Sequence, residues 1–142
     1  MPINQTLCTS FKKELMEGVH DFTSDTFKIA LYSNAASIGA ASTVYTSTAE
    51  VVGTGYDATG KSLTVSGGAV SVSGTTVFVD FDDVLWAEST ISAQGALIYN
   101  STALGNPAVA VLDFGITRST YAETLTVAFP SANETQAIVR IS

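Results

Sequence analysis

Apolar and polar positions change period once along this chain. Between Gln5 and Phe22, Leu7, Phe11, Leu15 and Val19 recur every four residues, Cys8 and Met16 widen the stripe, and Lys12, Lys13 and Glu17 fall on other faces. That spacing predicts one amphipathic helix, capped by Asn4 or Thr6 and followed by a turn over Asp21–Asp25. Such a helix either covers one end of its own core or acts as an arm that docks on a neighbouring subunit. From Thr26 the period is two. Phe27, Ile29 and Leu31 alternate with Lys28, Ala30 and Tyr32 in a first strand. Ser33–Thr48, almost wholly Ala, Ser and Thr with Val44 and Tyr45 as anchors, predicts a long ordered loop or an irregular edge strand.

Short strands are then predicted at Glu50–Val52, Ser62–Ser66, Ala69–Ser73 and Thr76–Phe81, punctuated by Gly60, Gly67, Gly68 and Gly74. Gly95–Asn100 and Ala108–Phe114 are apolar at nearly every position and are joined by a loop containing Asn100, Gly105, Asn106 and Pro107. A continuous apolar run marks a strand covered on both faces, so this hairpin is expected at the centre of the fold. Later, Leu125, Val127 and Phe129 face in against Thr124, Thr126 and Ala128, Pro130 stops the strand, and Ala137–Ile141 makes the last one. About eight to ten short strands at this spacing indicate an all-β protein, an antiparallel β-sandwich of jelly-roll type with one N-terminal α-helix. The expected division is a helical arm over residues 1–25 and a β-sandwich domain over 26–142.

Composition narrows the function classes. Only 13% of the 142 residues are charged, against about 25% in a typical soluble chain. Ser, Thr, Ala and Gly replace the missing charge, as expected where much of the surface meets other protein. A net charge of −7 opposes nucleic-acid binding, which rests on basic groups neutralising phosphates. The sequence contains no apolar run of transmembrane length and no secretory pattern at its start, so no membrane partner is expected. A single cysteine, Cys8, fits assembly in a reducing cytoplasm.

Chemistry is sparse. The one histidine, His20, has no ligand neighbour and reads as a solvated or capping side chain. Cys8 reads as a small core residue, and a Cys8–His20 dyad on one helix would span roughly 18 Å. Asp80, Asp82 and Asp83 form the acidic cluster; calcium would need further oxygen ligands, and edge carboxylates that discourage strand pairing are the plainer reading. Gly53, Gly55 and Gly60 read as turn glycines, since no helix and no Lys-Ser/Thr pair follow them. Trp86 beside an apolar strand reads as core or interface packing. The Asn-x-Ser/Thr triplets at Asn4, Asn100 and Asn133 carry no meaning in an unsecreted chain. The expectation is a protein that is not an enzyme, with no catalytic, metal or cofactor residues.

Four stretches in fixed order carry a resemblance: "TFKIALYSNAAS", "EVVGTGYDATGKSLT", "VLWAESTISAQGALIYN" and "AVAVLDFG". The second holds Glu50, Gly53, Thr54, Gly55, Tyr56, Gly60 and Leu63, the third Trp86, Ile91, Ala93, Gly95, Ala96, Ile98 and Tyr99, and the last ends Asp113-Phe114-Gly115. Together, over residues 26–129, they resemble a family of small structural proteins of tailed-bacteriophage virions. The resemblance implies a capsid decoration, or cement, protein on the capsid exterior, assembled in the host cytoplasm. It would contact the major capsid protein or other virion proteins and form a homo-oligomer, commonly a trimer. The acidic balance suits a position away from packaged DNA. A neck, tail or fibre-base component is the structural alternative. A carbohydrate-binding β-sandwich module using Trp86, Tyr45, Tyr56 and Tyr121 is the alternative of another class. The helix and the Ser33–Thr48 loop are the expected contact segments.

Overall fold

The apolar hairpin lies at the centre of the largest sheet. The structure, a computed structural model, describes residues 3–141. Ten strands and one α-helix follow in the order β1 (Thr6–Leu7), α1 (Thr9–Met16), β2 (Phe27–Tyr32), β3 (Lys61–Ser62), β4 (Ser71–Ser73), β5 (Thr76–Val79), β6 (Val84–Ser89), β7 (Ser92–Asn100), β8 (Ala108–Ser119), β9 (Glu123–Val127) and β10 (Val139–Ile141). One sheet has the order β1-β8-β7-β2-β3, a second β10-β5-β4 and a third β6-β9, and all strand pairs are antiparallel. The protein is thus mostly β, with one short helix.

In β7, every residue from Ala96 to Asn100 is at most 2% exposed, as the unbroken apolar run predicts. Ile98 stands opposite Ile29 of β2 on one side and Ala110 of β8 on the other. Gly95 is required here, because a Cβ would lie 2.5 Å from the Leu112 carbonyl oxygen. The β7–β8 register then breaks. Ala93 faces Arg118 while Gly95 faces Asp113, so β8 bulges outward around Gly115 and leaves Ile116 exposed.

The N-terminal segment differs from its periodicity. The helix covers Thr9–Met16 and not Gln5–Phe22. Thr6 and Leu7 instead pair with Val111 and Ala110, because the β8 edge offers them backbone partners that a helix would forgo. At the other end Gly18, with φ +77°, turns the chain away. Within the described part of residues 1–25, Ile3, Cys8, Phe11 and Phe22 join the same core as the hairpin. Phe22 stacks on Phe27 with ring centroids 4.5 Å apart.

Three further expectations are revised. Glu50–Val52 is no strand; Glu50 makes a single bridge to Tyr32. Ser62–Ser66 shortens to β3, after which a one-turn 3-10 helix spans Ser66–Gly68. The Thr76–Phe81 strand ends at Val79, where the Asp80 carbonyl accepts from Ser66 and Val65 bridges Phe81. The Ser33–Thr48 loop is ordered and anchored: Ala36 and Ile38 enter the core, Ile38 bridges Ile3, and Val44 bridges Pro107.

Candidate functional site

The richest polar constellation is built around Glu50. The loop that follows β2 returns it beside that strand, and the glycine turns of "GTGYDATG" fold Tyr56 and Thr59 back onto its carboxylate. Gly60 makes that return possible. Its φ is +82°, and a Cβ there would lie 1.8 Å from the Ile29 carbonyl oxygen. Glu50 accepts hydrogen bonds from the Tyr45 hydroxyl, from the Tyr56 hydroxyl at 2.5 Å and from the Thr59 backbone N–H at 2.8 Å. The Tyr56 oxygen in turn accepts the buried Leu31 N–H at 3.0 Å.

Two more tyrosines close the cluster. The Tyr32 hydroxyl donates to the Thr46 carbonyl and the Tyr99 hydroxyl to the Thr59 carbonyl, each at 2.6 Å. Burial pushes the Tyr32, Tyr45 and Tyr56 phenols well above the ordinary tyrosine range, and the Glu50 carboxylate adds to the shift. Phenols held this firmly protonated do not serve as bases near neutral pH. The cluster pins residues 45–60 to β2 and β7.

A second network fixes the N-terminal segment. His20 is a buried side chain, contrary to the solvated or capping role expected of it. Its imidazole packs against Phe11 and Phe27 with centroids 5.0 and 6.1 Å away. The Asn100 side-chain oxygen accepts the backbone N–H groups of Thr102 and Ala103, which orients its amide nitrogen toward His20 Nδ1 at 3.2 Å and Asp25 at 2.8 Å. His20 Nδ1 therefore accepts, and Nε2–H donates to Glu14 at 3.0 Å. Every donor and acceptor of the Asn100 amide is used, as a rigid buried network requires.

The remaining sequence candidates disperse. Cys8 is fully buried, and desolvation together with the nearby Glu14 charge raises its thiol to about 11. Asp80 is also buried, contrary to the edge-carboxylate reading, because the turn after β5 directs it inward; Asp82 and Asp83 stay exposed. Burial raises the Asp80 carboxyl against the pull of the Phe81 and Ile138 amides, and among the described residues its Oδ2 has no hydrogen-bond partner. Among the described residues, no three His, Cys, Asp or Glu side chains converge as a metal site.

Trp86 is 1% exposed, packed against Tyr56 with Lys61 over its ring. Tyr56 is buried and Tyr121 stands alone at the surface, so the aromatics proposed for a sugar platform do not form an exposed one.

Two surface depressions stand out among the described residues. A cleft of about 860 Å³ lies between β8 and β9 and is lined by Leu7, Phe114, Val127 and both arginines of the chain, Arg118 and Arg140. Their sequence separation and placement on different sheets gave no signal for this pairing. Arg140 donates to the Thr135 carbonyl. Among the described residues, neither arginine forms an ion pair with a carboxylate. A second, apolar groove of about 410 Å³ lies between the N-terminal segment and the β10-β5-β4 sheet. Compared with family profiles, curated proteins and solved structures, the chain matches none.

Proposed function

We propose that this chain is a non-enzymatic structural subunit of a tailed-bacteriophage virion, seated on the capsid exterior as a decoration protein. Its three sheets are read here as a β-sandwich of jelly-roll type. The observation that carries the reading is the ordered run of motif stretches over residues 26–129, and the motifs do structural work in this fold. Glu50, Tyr56 and Gly60 of the second stretch form the tyrosine clamp, and Gly95 of the third permits the close approach of β7 to β8.

Surface chemistry supports the same reading. Leu104, Val52 and Met16 are each more than 90% exposed, on a surface otherwise rich in Ser, Thr and Ala. Large neutral faces of this kind suit burial against a shell or against copies of the same chain. The helix and the Ser33–Thr48 loop are anchored by Phe11, Ala36 and Ile38, so they contribute exposed residues to such a contact as fixed surfaces and not as free arms.

The test is the stoichiometry of this chain against the major capsid protein in purified particles, measured by quantitative mass spectrometry. Hundreds of copies per particle would support decoration. About a dozen or fewer would place the chain in a neck or tail ring. Absence from particles overturns the virion reading.

A further inference from the structure

The chain has three long stretches with no charge at all, residues 29–49, 62–79 and 89–112, and the second, eighteen residues, includes β4 and β5. In a protein of net charge −7, that stretch marks a place where a second copy approaches without electrostatic repulsion. Its geometry sharpens the point. Val72 of β4 stands opposite Val77 of β5, and Val77 stands opposite Ile141 of β10, so three β-branched side chains form a ladder across the sheet.

That ladder continues the sheet's own core face. Val79 and Val139, two residues along from Val77 and Ile141, are 4% and 5% exposed and belong to the core. Leu15 and Phe22 of the N-terminal segment line the groove beside them, together with Val70, Val77, Val139 and Ile141. Beyond that cover the same face runs out into solvent: Val72 is 70% exposed, Ile141 56%, Val77 40% and Val70 38%. The sheet thus projects past the segment that packs on it and leaves a core half-built.

We infer that this overhanging face of the β10-β5-β4 sheet is the homo-oligomer contact, covered by the same face of a second copy. The four side chains expose roughly 300 Å² of apolar surface, the size of a functional patch on a monomer. It is too small alone for a stable interface of about 800 Å² per partner, so it forms the apolar centre, with Ser71, Ser73 and Thr76 available to the polar rim. Both outer strands of this sheet, β4 and β10, lack a strand partner on their outer edges among the described residues, and β4 carries no charge or proline. The inference rests on the homo-oligomer part of the proposed function, but its test in solution is independent of where the chain sits in a particle.

The experiment compares the full chain with Val72→Lys/Val77→Lys and Val72→Glu/Val77→Glu by light scattering after size exclusion, across a range of concentration. Circular dichroism and urea unfolding check that the variants fold. The wild-type chain should assemble, and both variants, whatever the sign of the added charge, should weaken assembly at least about tenfold. Because Cys8 is buried, Val72→Cys supplies a single accessible thiol. It should cross-link between chains under mild oxidation far faster than Val52→Cys, a site 95% exposed but outside this sheet. A wild-type chain that stays monomeric at every concentration overturns the inference, even if it binds capsids through this face. Folded variants that assemble like the wild type, or equal cross-linking at both positions, overturn it too.

Discussion

Removing one oxygen from the tyrosine clamp isolates what holds the long loop to the sheet. In Tyr56→Phe the ring stays in place, but Glu50 loses a donor at 2.5 Å and the Leu31 N–H loses its acceptor at 3.0 Å. Leu31 is completely buried, so water does not replace that acceptor. An orphaned buried amide costs about 1–3 kcal/mol, and a hydrogen bond to a charged group contributes about 1.5–3 kcal/mol. Glu50 keeps Tyr45 and the Thr59 amide as partners, which trims the second figure. The expected loss is about 2–4 kcal/mol, read as a lower urea midpoint at unchanged slope and a melting temperature lower by roughly 6–12 °C. In a double-mutant cycle with Glu50→Gln, coupling of about 1 kcal/mol or more should appear. A Tyr56→Phe loss below about 0.5 kcal/mol would refute the claim that this hydroxyl bridges the loop to β2.

The central hairpin was legible in the sequence because burial on both faces leaves a signature no solvated strand shows: the run from Ala96 to Tyr99 has no polar position. Leu125 and Val127 were legible for the converse reason, since β9 keeps one wet face and alternates. The helix was overextended because Leu7 satisfies helical spacing and strand pairing equally well, and only the β8 edge, more than a hundred residues away, decides between them. The sequence puts His20 at a helix end and Asp80 on one strand face with Asp82, and both positions read as surface ones. Each is buried by a partner that local pattern does not reveal: Asn100, eighty residues on, receives the imidazole, and the pairing of Val65 with Phe81 accompanies the inward turn at Asp80. The pairing of Arg118 with Arg140 in one cleft was invisible for the same reason, being set by how three sheets pack.

Three further substitutions and conditions probe these features. Gly60→Ala should cost about 3 kcal/mol or more in urea unfolding, since its Cβ meets the Ile29 backbone at positive φ; Gly67→Ala, also at positive φ but with open space around it, should cost about 1 kcal/mol. Cys8 should resist alkylation in the native chain at neutral pH and react once urea unfolds it. Because its thiol rises from 9.0 to about 11, the unfolded chain releases that proton first, so stability falls as pH climbs from 9 through 11. Asp80→Asn should leave stability unchanged or higher at pH 7, by about 1 kcal/mol at most, since it removes a buried charge whose Oδ2 has no partner while keeping an oxygen for the Phe81 N–H at 2.9 Å. The sign follows from the raised carboxyl: the folded chain holds the proton more tightly than the unfolded one, so the contribution of Asp80 is fully present below pH 3.8 and lost as pH rises through the folded value. The advantage of the variant should therefore shrink as urea titrations move from pH 7 toward pH 4. A variant clearly less stable than wild type at pH 7 would mean that the charged carboxylate holds a contact the fold needs, and that burial alone does not describe it.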